Sequence, residues 1–174
     1  MAQLKIPINS THSFSCGGSI ISVNSILTAA HCTFGIPTSE ITARVGTKYN
    51  GRGGKITRVV KVIIHPLYDA TNLDYDIAIL QLKTSIELVP KIKELVKLPA
   101  QDENIADGTV VLVTGWGDTT NKLESQDLLR GVEIPIVNQE VCKTAYPDLI
   151  AENLCAGYYE KGGKDACQGE INVF

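Results

Sequence analysis

The sequence predicts an all-β protein built as a sandwich or a barrel. Short runs rich in β-branched residues recur at fairly regular spacing along the 174 residues, and clusters of turn-forming residues separate them. Only one stretch has helical character. The hydrophobic content of 44% is enough for a core in one domain, or in two small domains packed together.

Five segments carry the strand pattern. The first, SIISVNSILTAA at 19–30, predicts two short strands around a turn at Asn24. The stretch NQEVCKTAY predicts the single helix, with Asn138 as its N-cap. The remaining strand segments, in chain order, are KITRVVKVII, DIAILQL, TVVLVTGW and GVEIPIV.

A proline-containing segment divides the predicted strands into two groups. Residues 84–104 read TSIELVPKIKELVKLPAQDEN, and this composition predicts a link between two β units. We therefore expect a first unit at 1–95 and a second at 96–174.

Charge and hydropathy argue against several classes of function. The formal net charge is −3 and the Lys and Arg residues are scattered, so we expect neither a nucleic-acid partner nor a polybasic membrane patch. The longest apolar run is far shorter than a membrane span. The first ten residues, MAQLKIPINS, lack the features of a signal peptide. No cofactor is expected, and the lack of Asp or Glu between Val45 and His65 predicts no calcium site there.

The five cysteines do not follow a zinc-binding pattern, since none belongs to a C-x-x-C pair. Cys16 and Cys32 are 16 positions apart, and Cys142 and Cys155 are 13 apart. Either spacing suits a disulfide, which would stabilise the fold by about 3 kcal/mol. The alternative is a set of buried free thiols. With two bonded pairs Cys167 is left over, either free, bonded to another chain or lacking its partner.

Two segments carry residues suited to acid–base chemistry. LTAAHC ends in His31 beside Cys32, and a disulfide there would fix the backbone that carries the imidazole, as general-base catalysis requires. Asp76 begins the apolar segment DIAILQL, and a carboxylate that enters a core needs a partner such as His31. The alternatives are a structural histidine and an aspartate that merely caps a turn.

Taken together, these segments resemble the trypsin-like (chymotrypsin-family) serine endopeptidases. Within that family, the sequence resembles the secreted digestive trypsins of arthropods, including mite allergens. The spacing of 45 residues between His31 and Asp76 fits that family. Five motifs occur in the family's order: CGGSIIS at 16–22, LTAAHC at 27–32, DIAILQL at 76–82, VTGWGDT at 113–119 and NLCAGYYEKGGKDACQG at 153–169.

The resemblance implies two β-barrels with an active site in the cleft between them, cleaving polypeptides after Lys or Arg. His31 would be the general base and Asp76 its orienting partner. Asp165 matches the aspartate at the floor of the specificity pocket, where it would select a cationic side chain. Gly169 matches a donor of the oxyanion hole.

The resemblance also implies disulfides from Cys16 to Cys32 and from Cys142 to Cys155, with the partner of Cys167 further downstream. It implies a secreted protein whose partners are polypeptide substrates or protease inhibitors.

Asn9 begins a glycosylation sequon. His12 and His65 are expected to be structural or surface residues.

The sequence departs from the family pattern near its end. The nucleophilic serine should stand six positions after Asp165, and Ile171 occupies that position, preceded by Glu170 in place of an aspartate. Isoleucine cannot attack a carbonyl, so we expect this polypeptide to lack peptidase activity. The alternative is a non-catalytic homologue that binds a partner or an inhibitor.

The start of the sequence departs from the family pattern as well. It lacks the Ile-Val-Gly-Gly terminus of active members, and several dozen residues of the family's second barrel are not in the sequence. We therefore expect an incomplete second barrel that is less stable than the first, because a partial barrel exposes its strand edges.

Overall fold

A closed six-stranded barrel and a separate pair of strands form the β-structure of the chain. The computed structural model describes residues 1–7, 13–89, 94–117, 125, 127–147 and 153–158. The barrel strands are β1 (Ala2–Pro7), β2 (Ser13–Ser22), β3 (Ser25–Thr28), β4 (Thr42–Val45), β5 (Lys55–Ile64) and β6 (Ala78–Leu82). The other elements are β7 (Val110–Gly115), β8 (Arg130–Pro135), the helix α1 (Gln139–Ala145) and 3₁₀ turns at Ala30–Cys32 and Thr38–Glu40.

The barrel closes through antiparallel pairs in the order β1-β2-β3-β6-β5-β4, with β4 returning to β1. The pairing register shifts in β2 between Ile20 and Ser22, and in β5 between Val59 and Lys61. Such irregularities bend a strand, which a small barrel requires in order to close. Strand β6 lies between β3 and β5, so the residues at its entry are held from both sides.

Large aliphatic side chains fill the barrel. Gly18 lies where β2 and β3 approach closely, and a methyl group there would be 2.5 Å from Cγ2 of Ile26. Any side chain at that position would therefore displace the packed isoleucine. The largest completely buried apolar side chains of this core are Leu4, Ile6, Ile20, Ile26, Ile41 and Leu80.

The strands β7 and β8 form a much smaller unit. Their inner face contributes three residues to a cluster that Ile136 completes, made of Val111, Val113, Ile134 and Ile136. On the other face Val110 and Leu112 are exposed. The smaller core provides much less apolar burial than the barrel does, and burial is the main stabilising contribution to folding.

The two units meet at the loop that follows β4. The indole N–H of Trp116 donates to the carbonyl of Lys48 at 3.0 Å, and the amide of Leu129 donates to the same carbonyl at 2.7 Å. The amide of Asn50 donates to the carbonyl of Asp127 at 2.8 Å, and the Asp127 carboxylate pairs with Arg52. Four connections therefore join this loop to residues that follow β7 or precede β8, in the connection between these two strands.

The predicted all-β class and incomplete second unit are confirmed. Each predicted strand segment overlaps an observed strand, and α1 begins where predicted, with the Asn138 side chain accepting from the amides of Glu140 and Val141. Strands β1 and β4 lie outside the five predicted strand segments. The division at 95/96 stays a prediction, and the described residues of segment 84–104 form no named helix or strand.

Truncating the centre of the barrel should lower its stability strongly. Leu80 is completely buried on β6, so Leu80→Ala should lower the free energy of unfolding by about 2–5 kcal/mol through lost burial and a residual cavity. The measurement is urea unfolding. Leu67→Ala is the matched control, because Leu67 is 61% exposed, and it should change stability by less than about 0.5 kcal/mol. Equal effects of the two substitutions would contradict the assigned core.

The amides of β7 and β8 should exchange with solvent sooner than those of β3 and β6. The small cluster behind the two-stranded sheet leaves it easier to open than a closed barrel. Hydrogen exchange read by mass spectrometry or NMR measures this directly. Protection of β7 and β8 equal to that of the barrel would refute the expectation that the second unit is less stable.

Candidate active site

His31 lies on a 3₁₀ turn that directly follows β3, and its backbone is fixed on both sides. Cys32 forms a disulfide with Cys16 of β2, with Cα atoms 6.3 Å apart. The Thr28 hydroxyl donates to the carbonyl of Gly17 at 2.8 Å, which ties the end of β3 to β2. The turn that carries the imidazole is therefore anchored to the barrel covalently and by hydrogen bonds.

Asp76 stands at the entry of β6 and uses both carboxylate oxygens on His31. Oδ1 accepts the backbone N–H of His31 at 2.7 Å, and Oδ2 lies 2.6 Å from Nδ1 of the imidazole. A carboxylate can only accept, so Nδ1 must carry the proton of this bond. In the neutral ring the other nitrogen, Nε2, is then the unprotonated one.

The exposed side of the imidazole is the chemically available side. The His31 side chain is 41% exposed and that of Asp76 22%, so the carboxylate sits deeper than the ring. Nε2 lies 3.5 Å from Sγ of Cys32, and a disulfide sulfur has no hydrogen that it could donate to the Nε2 lone pair. The Nε2 lone pair can therefore take a proton from a group placed beside it, which is what a general base must do.

The same disulfide argues against a metal-binding site at these residues. The sulfurs of Cys16 and Cys32 and the His31 ring lie within 4.8 Å of one another, which resembles a metal-binding cluster. Zinc and similar ions bind the thiolate form of cysteine. Because both sulfurs belong to a disulfide, they cannot supply that form while the bond is intact.

The carboxylate of Asp76 also influences an aromatic residue that the sequence did not single out, Tyr68. The Tyr68 ring packs edge-on against Phe34, with ring centroids 5.3 Å apart. Burial raises the pKa of the Tyr68 phenol above its ordinary value, and the carboxylates of Asp76 and Asp69 raise it further. Tyr68 follows the residues His-Pro-Leu that open the loop before β6, a position that carries no chemical signal in the sequence.

In the second unit, the described residues include one of the features expected from the sequence, a disulfide between Cys142 of α1 and Cys155. The Cα atoms of these two cysteines are 6.3 Å apart. The structure therefore joins both expected cysteine pairs. Seven further positions considered in the sequence lie outside the described residues: Asn9, His12, Asp165, Cys167, Gly169, Glu170 and Ile171.

The fold and the pair define a β-barrel protein in which one carboxylate holds the imidazole of a histidine in a single orientation. The chain belongs to the trypsin family, whose sequence model matches residues 1–170. It is 39% identical to Trypsin 5G1 of Aedes aegypti over 158 residues, 89% of the chain and 58% of that protein. It is 36% identical to Trypsin Blo t 3 of Blomia tropicalis, over 97% of the chain and 65% of the relative.

A solved structure gives the same fold. The scabies mite inactivated protease paralogue S-D1 superposes with a TM-score of 0.83 at 28% sequence identity, over 97% of this chain and 73% of the other. The chain spans about three fifths of the length of the curated relatives named above. Among the described residues, no helix is long and apolar enough to cross a membrane.

Removing the carboxylate charge should change the ionisation of Tyr68. In Asp76→Asn the pKa of Tyr68 should fall, because a negative charge that opposes phenolate formation has been removed. Burial and Asp69 remain, so part of the upward shift should persist. The measurement is an NMR or ultraviolet pH titration, with Tyr68→Phe identifying the signal. Asp127→Asn is the matched control, since Asp127 pairs with Arg52, and it should leave Tyr68 unchanged.

Proposed function

We propose that His31 and Asp76 form the histidine–aspartate pair of a trypsin-like serine endopeptidase, a hydrolase that cleaves polypeptides after Lys or Arg. The observation that carries this proposal is the double contact of one carboxylate with the backbone N–H and Nδ1 of His31, at 2.7 and 2.6 Å. Membership of the trypsin family supports the same reaction class.

The role of each group follows from its protonation state. The Asp76 carboxylate holds the proton on Nδ1, which leaves Nε2 free to remove a proton from a serine hydroxyl. The imidazolium that forms is stabilised by the adjacent carboxylate, and it then donates its Nε2 proton to the leaving amine. Asp76 therefore acts twice, on the orientation of the ring and on the charge that develops there.

The remaining roles are assigned by resemblance. Asp165 would form the floor of the specificity pocket, where a desolvated carboxylate favours the cationic side chain of Lys or Arg. The amide of Gly169 would donate to the oxyanion that forms on the attacked carbonyl.

Ile171 occupies the position six residues after Asp165, where the family pattern has its nucleophilic serine. Its side chain has no oxygen, so it cannot form an acyl-enzyme, and His31 has no hydroxyl to deprotonate at that position. We therefore propose that the 174-residue polypeptide does not hydrolyse peptides, although its histidine–aspartate pair is formed.

A second function is favoured by one comparison. The scabies mite protein that superposes with a TM-score of 0.83 is named an inactivated protease paralogue. In this alternative the chain is a non-catalytic homologue that uses the trypsin fold to bind a polypeptide or a protease inhibitor. Either function implies a secreted protein, because two disulfides persist in an oxidising environment.

The purified polypeptide should not turn over peptide amides that end in arginine or lysine, and it should not be labelled by a serine-reactive fluorophosphonate. The reason is the isoleucine at position 171. A conventional trypsin is the positive control and His31→Ala the matched negative control. Turnover above the level of His31→Ala would contradict the proposed inactivity and assign a nucleophile elsewhere.

Peptide mapping of the native protein separates the two functions. The informative tryptic peptide starts at Asp165. If it continues into an aspartate and a serine in place of Glu170 and Ile171, the natural protein is the endopeptidase. If it reads Glu170 and Ile171, the binding function remains, and a protein inhibitor of trypsin should bind the chain without being cleaved.

A further inference from the structure

The loop that delivers Asp76 to His31 has an unusual backbone. It connects β5 to β6, and two of its non-glycine residues have positive φ, Leu73 at 59° and Tyr75 at 51°. Asp102 is the one other non-glycine residue with positive φ among the described positions. A left-handed conformation is unfavourable for an ordinary residue, and it persists only where neighbouring contacts enforce it.

The backbone at Asp76 forms a tight turn. The amide of Ile77 donates to the carbonyl of Tyr75 at 2.7 Å, which places Asp76 at the centre of a three-residue turn. The loop is closed behind this turn by the amide of His65, which donates to the carbonyl of Ile77 at 3.0 Å. The direction of the Asp76 side chain therefore depends on the backbone angles of Tyr75, the residue immediately before it.

Tyr75 is held by an aromatic contact across the loop. Its ring stacks on the imidazole of His65, with ring centroids 4.8 Å apart and an interplanar angle of 6°. The imidazole is itself fixed, because its Nδ1 accepts the amide of Leu67 at 3.2 Å. Both rings are partly buried. This stack spans ten residues of sequence and connects the two ends of the loop.

We propose that the His65–Tyr75 stack positions Asp76 for its double contact with His31. The stack stabilises the left-handed backbone at Tyr75, that backbone sets the turn centred on Asp76, and the turn directs both carboxylate oxygens at His31. His65 and Tyr75 are positioning residues, since neither lies within the histidine–aspartate pair. The inference rests on the proposed function only for the catalytic role of the pair. The hydrogen bond between His31 and Asp76 can be measured without turnover.

The test is the NMR signal of the His31 Nδ1 proton, which resonates far downfield when it is shared with a carboxylate at short distance. The signal is assigned by its disappearance in Asp76→Asn. Tyr75→Leu removes one ring of the stack. His65→Asn removes the other ring but retains an oxygen that can accept the amide of Leu67. Both variants should lose the signal or shift it upfield.

Two conservative variants should retain the signal of the parent protein. Tyr75→Phe keeps the ring and lacks only the hydroxyl, and His65→Phe keeps an aromatic stacking partner. Tyr49→Leu is the matched control, because it removes a tyrosine ring elsewhere on the same unit and should leave the signal unchanged. Thermal melting and the remaining NMR spectrum identify any variant that does not fold.

A sharp signal at the parental position in folded Tyr75→Leu and His65→Asn would overturn the proposal. Loss of the signal in Tyr75→Phe or His65→Phe would also overturn it, since the stack is retained in both. The signal reports only the hydrogen bond between His31 and Asp76. A polypeptide without peptidase activity can therefore pass this test, and failure of the test leaves the proposed hydrolase function standing.

Discussion

One carboxylate that bonds to two donors of a single residue organises the candidate site. Asp76 accepts the backbone N–H of His31 with one oxygen and its Nδ1–H with the other, at 2.7 and 2.6 Å. The first bond fixes the main chain after β3, and the second fixes the rotation of the ring. Because β6 pairs with both β3 and β5, the carboxylate is held by the same sheet that carries the histidine. The pairing of β3 with β6 therefore brings the two residues together, and the loop before β6 sets the direction of the carboxylate.

The second unit contributes little to this half of the site. Both members of the pair, the Cys16–Cys32 disulfide and the stacked rings of the loop belong to residues 16–76. At the loop that follows β4, the described residues of the two units meet through three hydrogen bonds to backbone carbonyls and one ion pair, and both members of that pair, Arg52 and Asp127, are well exposed. An exposed ion pair contributes only about 0–1 kcal/mol. Among the described residues, the contacts that set the geometry of the histidine–aspartate pair therefore lie within the first unit.

The sequence alone was sufficient to predict the elements whose residues have a strong conformational preference. Strand β5 matches its predicted segment from Lys55 to Ile64, because β-branched residues favour a pleated strand throughout. Strand β4 was missed because its four residues, TARV, form a run too short to show a clear period. The left-handed backbone of Tyr75 could not be predicted, since tyrosine has no preference for it and its ring partner lies ten residues away.

Holding a histidine in a fixed orientation and completing a catalytic site are two separate physical requirements. The bond between Asp76 and Nδ1 of His31 forms because a partly buried carboxylate needs donors, and this requirement holds whatever residue stands beside Nε2. A trypsin fold can therefore keep its base in place after the nucleophile has changed, and the superposed scabies mite protein carries the name of an inactivated paralogue. Under the proposed assignment of position 171 to the nucleophile, the choice between catalysis and binding depends on that residue, because a hydroxyl there permits acyl transfer and the isoleucine side chain does not.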